Sequence, residues 1–72
     1  MTNTKLLENE IVRSGKKKSY LAEKVGLSKA GFRNCMVNKA EFKASHIAIL
    51  IEELKITDFA KVRAIFFTKL GA

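Results

Sequence analysis

The sequence predicts a single all-α domain over residues 1–72, and three observations lead to this fold class. Apolar residues recur every three or four positions along most of the chain, as on one face of a helix, and no long alternation of polar and apolar residues marks a strand. A chain of 72 residues buries only about 60% of its surface, which supports one small core. A hydrophobic content of 47% beside 29% charged residues is typical of a folded chain rather than a disordered one.

The first two helices are predicted from apolar spacing and from the glycines that follow them. The first covers residues 4–14, and Gly15 can take the left-handed conformation that ends a helix. Residues 16–18 are expected to form a solvated connector. Ser19 is a suitable N-cap for a short second helix, which Gly26 would end. The residues expected to face inward are Leu7, Ile11, Leu21, Ala22 and Val25.

Three further helices follow by the same reasoning. Ser28 is expected to cap a third helix over residues 29–37, and Asn38 to end it in the left-handed region. Ser45 is expected to cap the fourth helix and Asp58 the fifth. The residues expected to face inward are Phe32, Cys35, Met36, Ile47, Leu50, Ile51, Leu54, Phe59, Val62, Phe66 and Leu70.

The end of the fifth helix permits two interpretations. Ile65 and Phe67 lie about 100° to either side of its apolar stripe. The simpler interpretation is a wide stripe in which both side chains complete the core. Alternatively, Phe67 is exposed and forms, with Ala60 and Ala64, a small apolar patch for a second chain.

The positive charge of the chain is concentrated in its middle. Residues 13–43 contain nine Lys and Arg against two Glu, so they carry the whole net charge of +7, whereas the remaining residues are neutral. This distribution favours a positive surface for a polyanion over an evenly charged, solubilising surface.

Several functional classes are disfavoured by the composition. The chain has one His, one Asp and one Cys, which are too few for a metal cluster or a nucleophile with its base, so neither enzymatic activity nor a cofactor is expected. Cys35 is interpreted as a small core residue. The longest apolar stretch, residues 47–51, is far shorter than a membrane span, and no signal peptide is recognised. A reducing cytoplasm is the expected location.

Residues 18–37 combine a short helix, a turn and a second helix. Ala22 is small enough for two helices to approach closely, and Gly26 is free to turn the chain between them. The apolar residues between the two helices are Leu21, Val25, Leu27, Phe32 and Cys35. This segment resembles the helix-turn-helix of small phage repressors and Cro-like regulators. One helix before it and two after it are similar to the five-helix layout of the phage repressor DNA-binding domain.

The resemblance implies that the helix after Ser28 enters the major groove of DNA. Arg33 would then pair with guanine and Asn34 with adenine. Ala30 and Gly31 stand where family members usually carry long polar side chains, so base readout is expected to be thin. The residues expected to contact DNA are Lys17, Lys18, Ser19, Ser28, Lys29, Arg33, Asn34, Lys39 and Lys43.

In size and basic character the chain is similar to the modulator-of-repression proteins of temperate phages of Gram-positive bacteria. This resemblance implies an antirepressor of the lytic and lysogenic switch, which binds the phage lysogeny repressor in the host cytoplasm and modulates its action on operator DNA. Ala30, Arg33 and Phe67 are the residues assigned to this partner. The alternative is a sequence-specific DNA-binding repressor that acts alone as a homodimer.

Overall fold

The computed structural model describes residues 2–67, and in that range the chain forms five α-helices and no strand. The all-α prediction is confirmed. Helix α2 packs against α3 and α4, and α1 packs against α4 and α5. Leu70, which was predicted to lie in the core, falls outside the described residues. The helices are α1 (Thr4–Ser14), α2 (Lys18–Val25), α3 (Lys29–Met36), α4 (Ala44–Leu54) and α5 (Phe59–Phe66).

Two of the four predicted N-caps are confirmed. The Ser28 hydroxyl accepts a hydrogen bond of 3.0 Å from the backbone N–H of Gly31. The Asp58 carboxylate accepts one of 2.9 Å from the backbone N–H of Ala60. Each bond satisfies a backbone donor that the first turn of a helix leaves unpaired, so α3 and α5 begin where the local sequence places them.

The caps predicted at Ser19 and Ser45 are wrong, because α2 and α4 each begin before these residues. The carbonyl of Lys17 accepts the first helical bond of α2 from the N–H of Leu21, at 3.1 Å, which places Ser19 inside the helix. In α4 the N-cap is Lys43, whose backbone N–H donates to His46 Nδ1 at 3.1 Å. The His46 imidazole thus accepts from the N–H of the N-cap residue, whereas a Ser45 cap would have accepted from an N–H in the first turn of the helix.

The three residues expected to be left-handed are confirmed, although α3 ends at Met36, with Val37 as its C-cap, one residue earlier than predicted. Gly15, Gly26 and Asn38 have φ values of 75°, 81° and 61°. Lys55 ends α4 in the same region, with a φ of 53°, and no local signal predicted it. Asn38 also donates from Nδ2 to the carbonyl of Thr2 at 3.1 Å, which ties the end of α3 to the start of the chain.

The core contains most of the predicted residues, with a correction in α5. Its buried face consists of Val62, Ile65 and Phe66, whereas Phe59, predicted to be buried, is 72% exposed. The backbone N–H of Asn3 donates to the carbonyl of Ile65 at 2.6 Å, so the segment before α1 contacts the last turn of α5. The rest of the core consists of Leu7, Ile11, Leu21, Ala22, Val25, Phe32, Cys35, Phe42, Ile47, Leu50, Leu54 and Ile56.

Phe42 is a core residue that the helical periodicity could not reveal, because it lies in the segment between α3 and α4. Its ring meets the rings of Phe32 and Phe66 edge to face, at centroid distances of 5.7 and 6.4 Å. Such contacts contribute beyond the burial of area alone. The aromatic contacts connect α3 to α5 across the core and hold the intervening segment against the helices.

Candidate nucleic-acid interface

The corner between α2 and α3 is built as the sequence predicted. Three residues, 26–28, separate the two helices. The N–H of Leu27 donates to the carbonyl of Ala22 at 2.9 Å, and Gly26 supplies the positive φ that reverses the chain. Ala22 is buried, whereas Leu27 is partly buried and packs against the core. The two helices are therefore separate elements held by a defined turn.

The outward side of α3 carries the residues predicted to meet a ligand. Lys29, Ala30, Arg33 and Asn34 are all exposed. Among the ion pairs formed between residues 2–67, none involves Lys29 or Arg33. Both cations thus remain available to an external anion.

Gly31 does not belong to that outward side. A Cβ atom built at this position would lie 3.2 Å from the Ser28 hydroxyl oxygen and 3.6 Å from Leu27 Cδ2. Position 31 therefore lies close to the preceding turn and is partly buried, whereas Ala30 is exposed. The expectation that base readout is thin at these two positions stays a prediction.

A groove of about 620 Å³ lies between α1, α2 and α3. Four cationic side chains line it together with one acidic side chain, Glu8. Lys5 and Glu8 come from α1, outside the basic segment, so the charge count along the chain could not place them here. The cations of the groove are Lys5, Lys18, Lys29 and Arg33.

The remaining predicted contact residues lie at different places around this groove. Ser19 lines it as well, whereas Lys17, Ser28, Asn34, Lys39 and Lys43 are exposed but do not line it. The backbone N–H of Lys39 donates to the carbonyl of Asn34 at 2.8 Å, which holds the following segment close to the end of α3. The structure thus brings together about half of the predicted set in one groove and leaves the others exposed outside it.

Lys16 and Tyr20 are engaged within the protein. Lys16 Nζ donates to the Glu53 carbonyl at 2.7 Å and to its carboxylate at 2.9 Å, so residues 16–18 are not a purely solvated connector. The Tyr20 hydroxyl donates to the same carboxylate at 3.1 Å. Lys16 and, to a smaller extent, Tyr20 hold the pKa of the Glu53 carboxyl below its ordinary value. Lys16 is therefore neutralised by α4 and contributes little to a polyanion site.

A second, apolar groove of about 440 Å³ lies between α4 and α5. Every residue that lines it is uncharged. Phe59 and Phe67 border it with exposed fractions of 72% and 60%. The wide-stripe interpretation of α5 is therefore wrong for Phe67, while Ile65 does complete the core. Two of the residues assigned to a protein partner are separated, because Arg33 lines the first groove and Phe67 the second.

The groups capable of other chemistry do not form a site in the described part of the chain. Cys35 is buried, and burial raises the pKa of its thiol because the thiolate loses hydration. No three His, Cys, Asp or Glu side chains of residues 2–67 are placed to hold a metal ion. Over the same residues, no helix has the length and apolar character needed to cross a membrane.

The fold and its two grooves define an all-helical protein with one basic and one apolar candidate surface. Neither a family model nor a curated protein nor a solved structure matches this chain. The assignment of function therefore depends on the chemistry of the two surfaces.

Proposed function

We propose that the protein is a small DNA-binding transcription regulator, in which α2 and α3 form a helix-turn-helix and α3 is the recognition helix. The single observation that supports this proposal most is the cationic groove beside the exposed side of α3. Its residues Lys29 and Arg33 have no acidic partner among residues 2–67, so their charges are free to contact DNA.

The groove and the exposed face of α3 contribute to binding in different ways. Cations in the groove attract the backbone of any duplex and position the protein on it. Arg33, in the middle of α3, has the planar donor geometry that pairs with guanine O6 and N7. Asn34 is also exposed and can pair with adenine. Ala30 leaves space for close approach and adds at most an apolar contact to a thymine methyl group.

The test is binding to short duplexes with a randomised centre, followed by titration of the selected and unselected duplexes over a range of salt concentrations. The logarithm of affinity should fall with the logarithm of salt, by about 0.9 for each neutralised phosphate. Arg33→Ala should remove about 1–3 kcal/mol of discrimination between duplexes. Arg63→Ala, which removes an exposed cation of α5 outside the groove, is the matched control and should keep the discrimination. Salt-independent binding, or equal discrimination by both variants, would contradict the proposal.

A second candidate function is supported by the apolar groove between α4 and α5. Exposed aromatic side chains over an uncharged groove are typical of protein contact surfaces. We propose that Phe59 and Phe67 hold a protein partner there. The resemblance stated above names that partner as the phage lysogeny repressor, and the protein would then act as an antirepressor in the switch between lytic and lysogenic growth.

This second function is tested by mixing the protein with the repressor of the same switch and measuring molar mass by light scattering after size exclusion. A discrete heteromer is expected, and Phe67→Ser should abolish it without loss of helicity. Val12→Ser replaces an exposed apolar residue of α1 and should leave the heteromer intact. A homodimer that Phe67→Ser dissociates would support the alternative, a repressor that acts alone, and would overturn the antirepressor role.

A further inference from the structure

We infer that Glu8 is an intramolecular competitor for DNA phosphate at Lys18, so that the protein attenuates its own affinity for DNA. This inference depends on the proposed binding of DNA at the cationic groove. Glu8 lies in α1 and Lys18 is the first residue of α2, and Glu8 Oε1 lies 2.7 Å from Lys18 Nζ. Both side chains line the groove.

The Glu8–Lys18 pair is relevant to DNA binding because the Glu8 carboxylate lies inside the cationic groove. Glu8 is the one acidic residue among the lining residues of this groove, and it contacts one of the four cations there. The oxygens of a carboxylate and of a phosphate both accept charge-assisted hydrogen bonds from an ammonium group. Glu8 therefore occupies the place that a phosphate would take at Lys18.

The carboxylate of Glu8 can be exchanged for a phosphate at Lys18. The side chains of Lys18 and Glu8 are 51% and 40% exposed, and ion pairs at such exposure are held only weakly. A phosphate can displace Glu8, but it must first break the pair and then tolerate a negative charge nearby. Lys18 thus contributes less to binding than Lys29 or Arg33, which have no acidic partner to release in the described part of the chain.

The Glu8–Lys18 pair lowers only the part of the binding affinity that is independent of the DNA sequence. Attraction between cations and phosphates is equal on every duplex, whereas base contacts differ between duplexes. By neutralising Lys18 in the free protein, Glu8 lowers the affinity for all DNA and leaves the discrimination to α3.

The experiment compares the wild-type protein with Glu8→Gln on one selected and one unselected duplex, at several salt concentrations. Glu8→Gln keeps the size of the side chain but frees Lys18. We expect binding to both duplexes to tighten by about threefold to tenfold at low salt, and the salt slope to steepen by about 0.9, the value for one added phosphate. Glu23→Gln, which removes an exposed acidic residue of α2 that does not line the groove, is the control for net charge.

One further measurement, in a second background, helps to separate the outcomes. In a Lys18→Gln background, Glu8→Gln should tighten binding much less than it does in the wild-type background, because no ion pair remains to be released. A role of the pair in stability alone would weaken binding when Glu8 is replaced, so a gain in affinity distinguishes competition from structural support. If the wild type binds with salt-dependent affinity and Glu8→Gln behaves like Glu23→Gln, the competitor role is overturned while the DNA-binding proposal stands. If no variant binds DNA, the proposed function itself fails.

Discussion

At the scale of single residues, Glu10 shows how a buried carboxylate is stabilised by neighbouring cations. Only 8% of this residue is exposed. Its carboxylate accepts hydrogen bonds from the guanidinium of Arg13, one of them 3.1 Å from Nε, and lies 3.4 Å from Lys61 Nζ. Arg13 is the largest influence on the Glu10 carboxyl and Lys61 adds to it, so the pKa lies below its ordinary value although burial acts in the opposite direction. The pair with Lys61 connects α1 to α5.

Replacing Glu10 should therefore weaken the fold in a manner that depends on pH. Because the pKa is lower in the folded state, Glu10 stabilises the protein fully above its ordinary pKa of 4.5, and this contribution is lost as pH falls through the lowered value. Glu10→Gln should cost about 1–2 kcal/mol at neutral pH, toward the lower end for a lost charged hydrogen bond because both partners are half-exposed. Urea unfolding of the wild type and of Glu10→Gln at a series of pH values measures the difference in their free energies of unfolding.

The control for this prediction is Glu52→Gln, which removes an exposed carboxylate of α4. It should follow the wild-type pH dependence with little loss of stability. The assignment would be contradicted if Glu10→Gln lost as much stability as the wild type between pH 7 and about pH 3, because the wild-type protein alone has the Glu10 carboxylate to protonate.

At the scale of elements, the caps decide where each helix begins, and one pair of serines tests this directly. Ser28 accepts a hydrogen bond at the start of α3, whereas Ser19 lies inside α2. Ser28→Ala should lower the free energy of unfolding by about 1 kcal/mol, because the N–H of Gly31 loses its partner. Ser19→Ala should be neutral or stabilise by up to about 0.5 kcal/mol, because alanine is the better helix former.

Chemical denaturation of these two variants beside the wild type is sufficient for the comparison. An equal loss in both variants would mean that α2 begins at Ser19 in solution, as the local sequence suggested. Since Ser28 is the cap of the proposed recognition helix, Ser28→Ala should also weaken DNA binding, while Ser19→Ala should affect only whatever phosphate contact its hydroxyl makes at the groove.

At the scale of the whole molecule, the uneven charge should make the stability of the fold depend on salt. The chain carries a net charge of +7, all of it within residues 13–43, and the exposed cations of α3 lack acidic partners in the described range. Like charges held close together oppose folding, and salt screens this repulsion over distances of about 10 Å. The free energy of unfolding should therefore rise by about 1 kcal/mol between about 0.02 and 0.5 M NaCl.

Urea unfolding at these salt concentrations checks the prediction, because urea adds no ions of its own. The double variant Lys29→Gln with Arg33→Gln should gain less from salt than the wild type. A wild-type protein that loses stability with added salt would show that attraction within its ion pairs outweighs repulsion around α3.

The sequence by itself determined the class of fold, most helix ends and the existence of a basic region. These properties are local in the sequence. Gly15 and Gly26 have no side chain to oppose the positive φ that ends a helix, and Ser28 and Asp58 each cap the helix that follows them. The charge of a segment is counted directly from its residues.

Tertiary structure alone decided which side chains meet. Lys5 and Glu8 join Lys18 and Arg33 in one groove because α1 lies beside α2 and α3. Ile65 is buried and Phe67 exposed although both flank the same predicted stripe of α5. Such contacts depend on how the buried faces of distant helices fit together, and the spacing of residues within one helix contains no information about that fit.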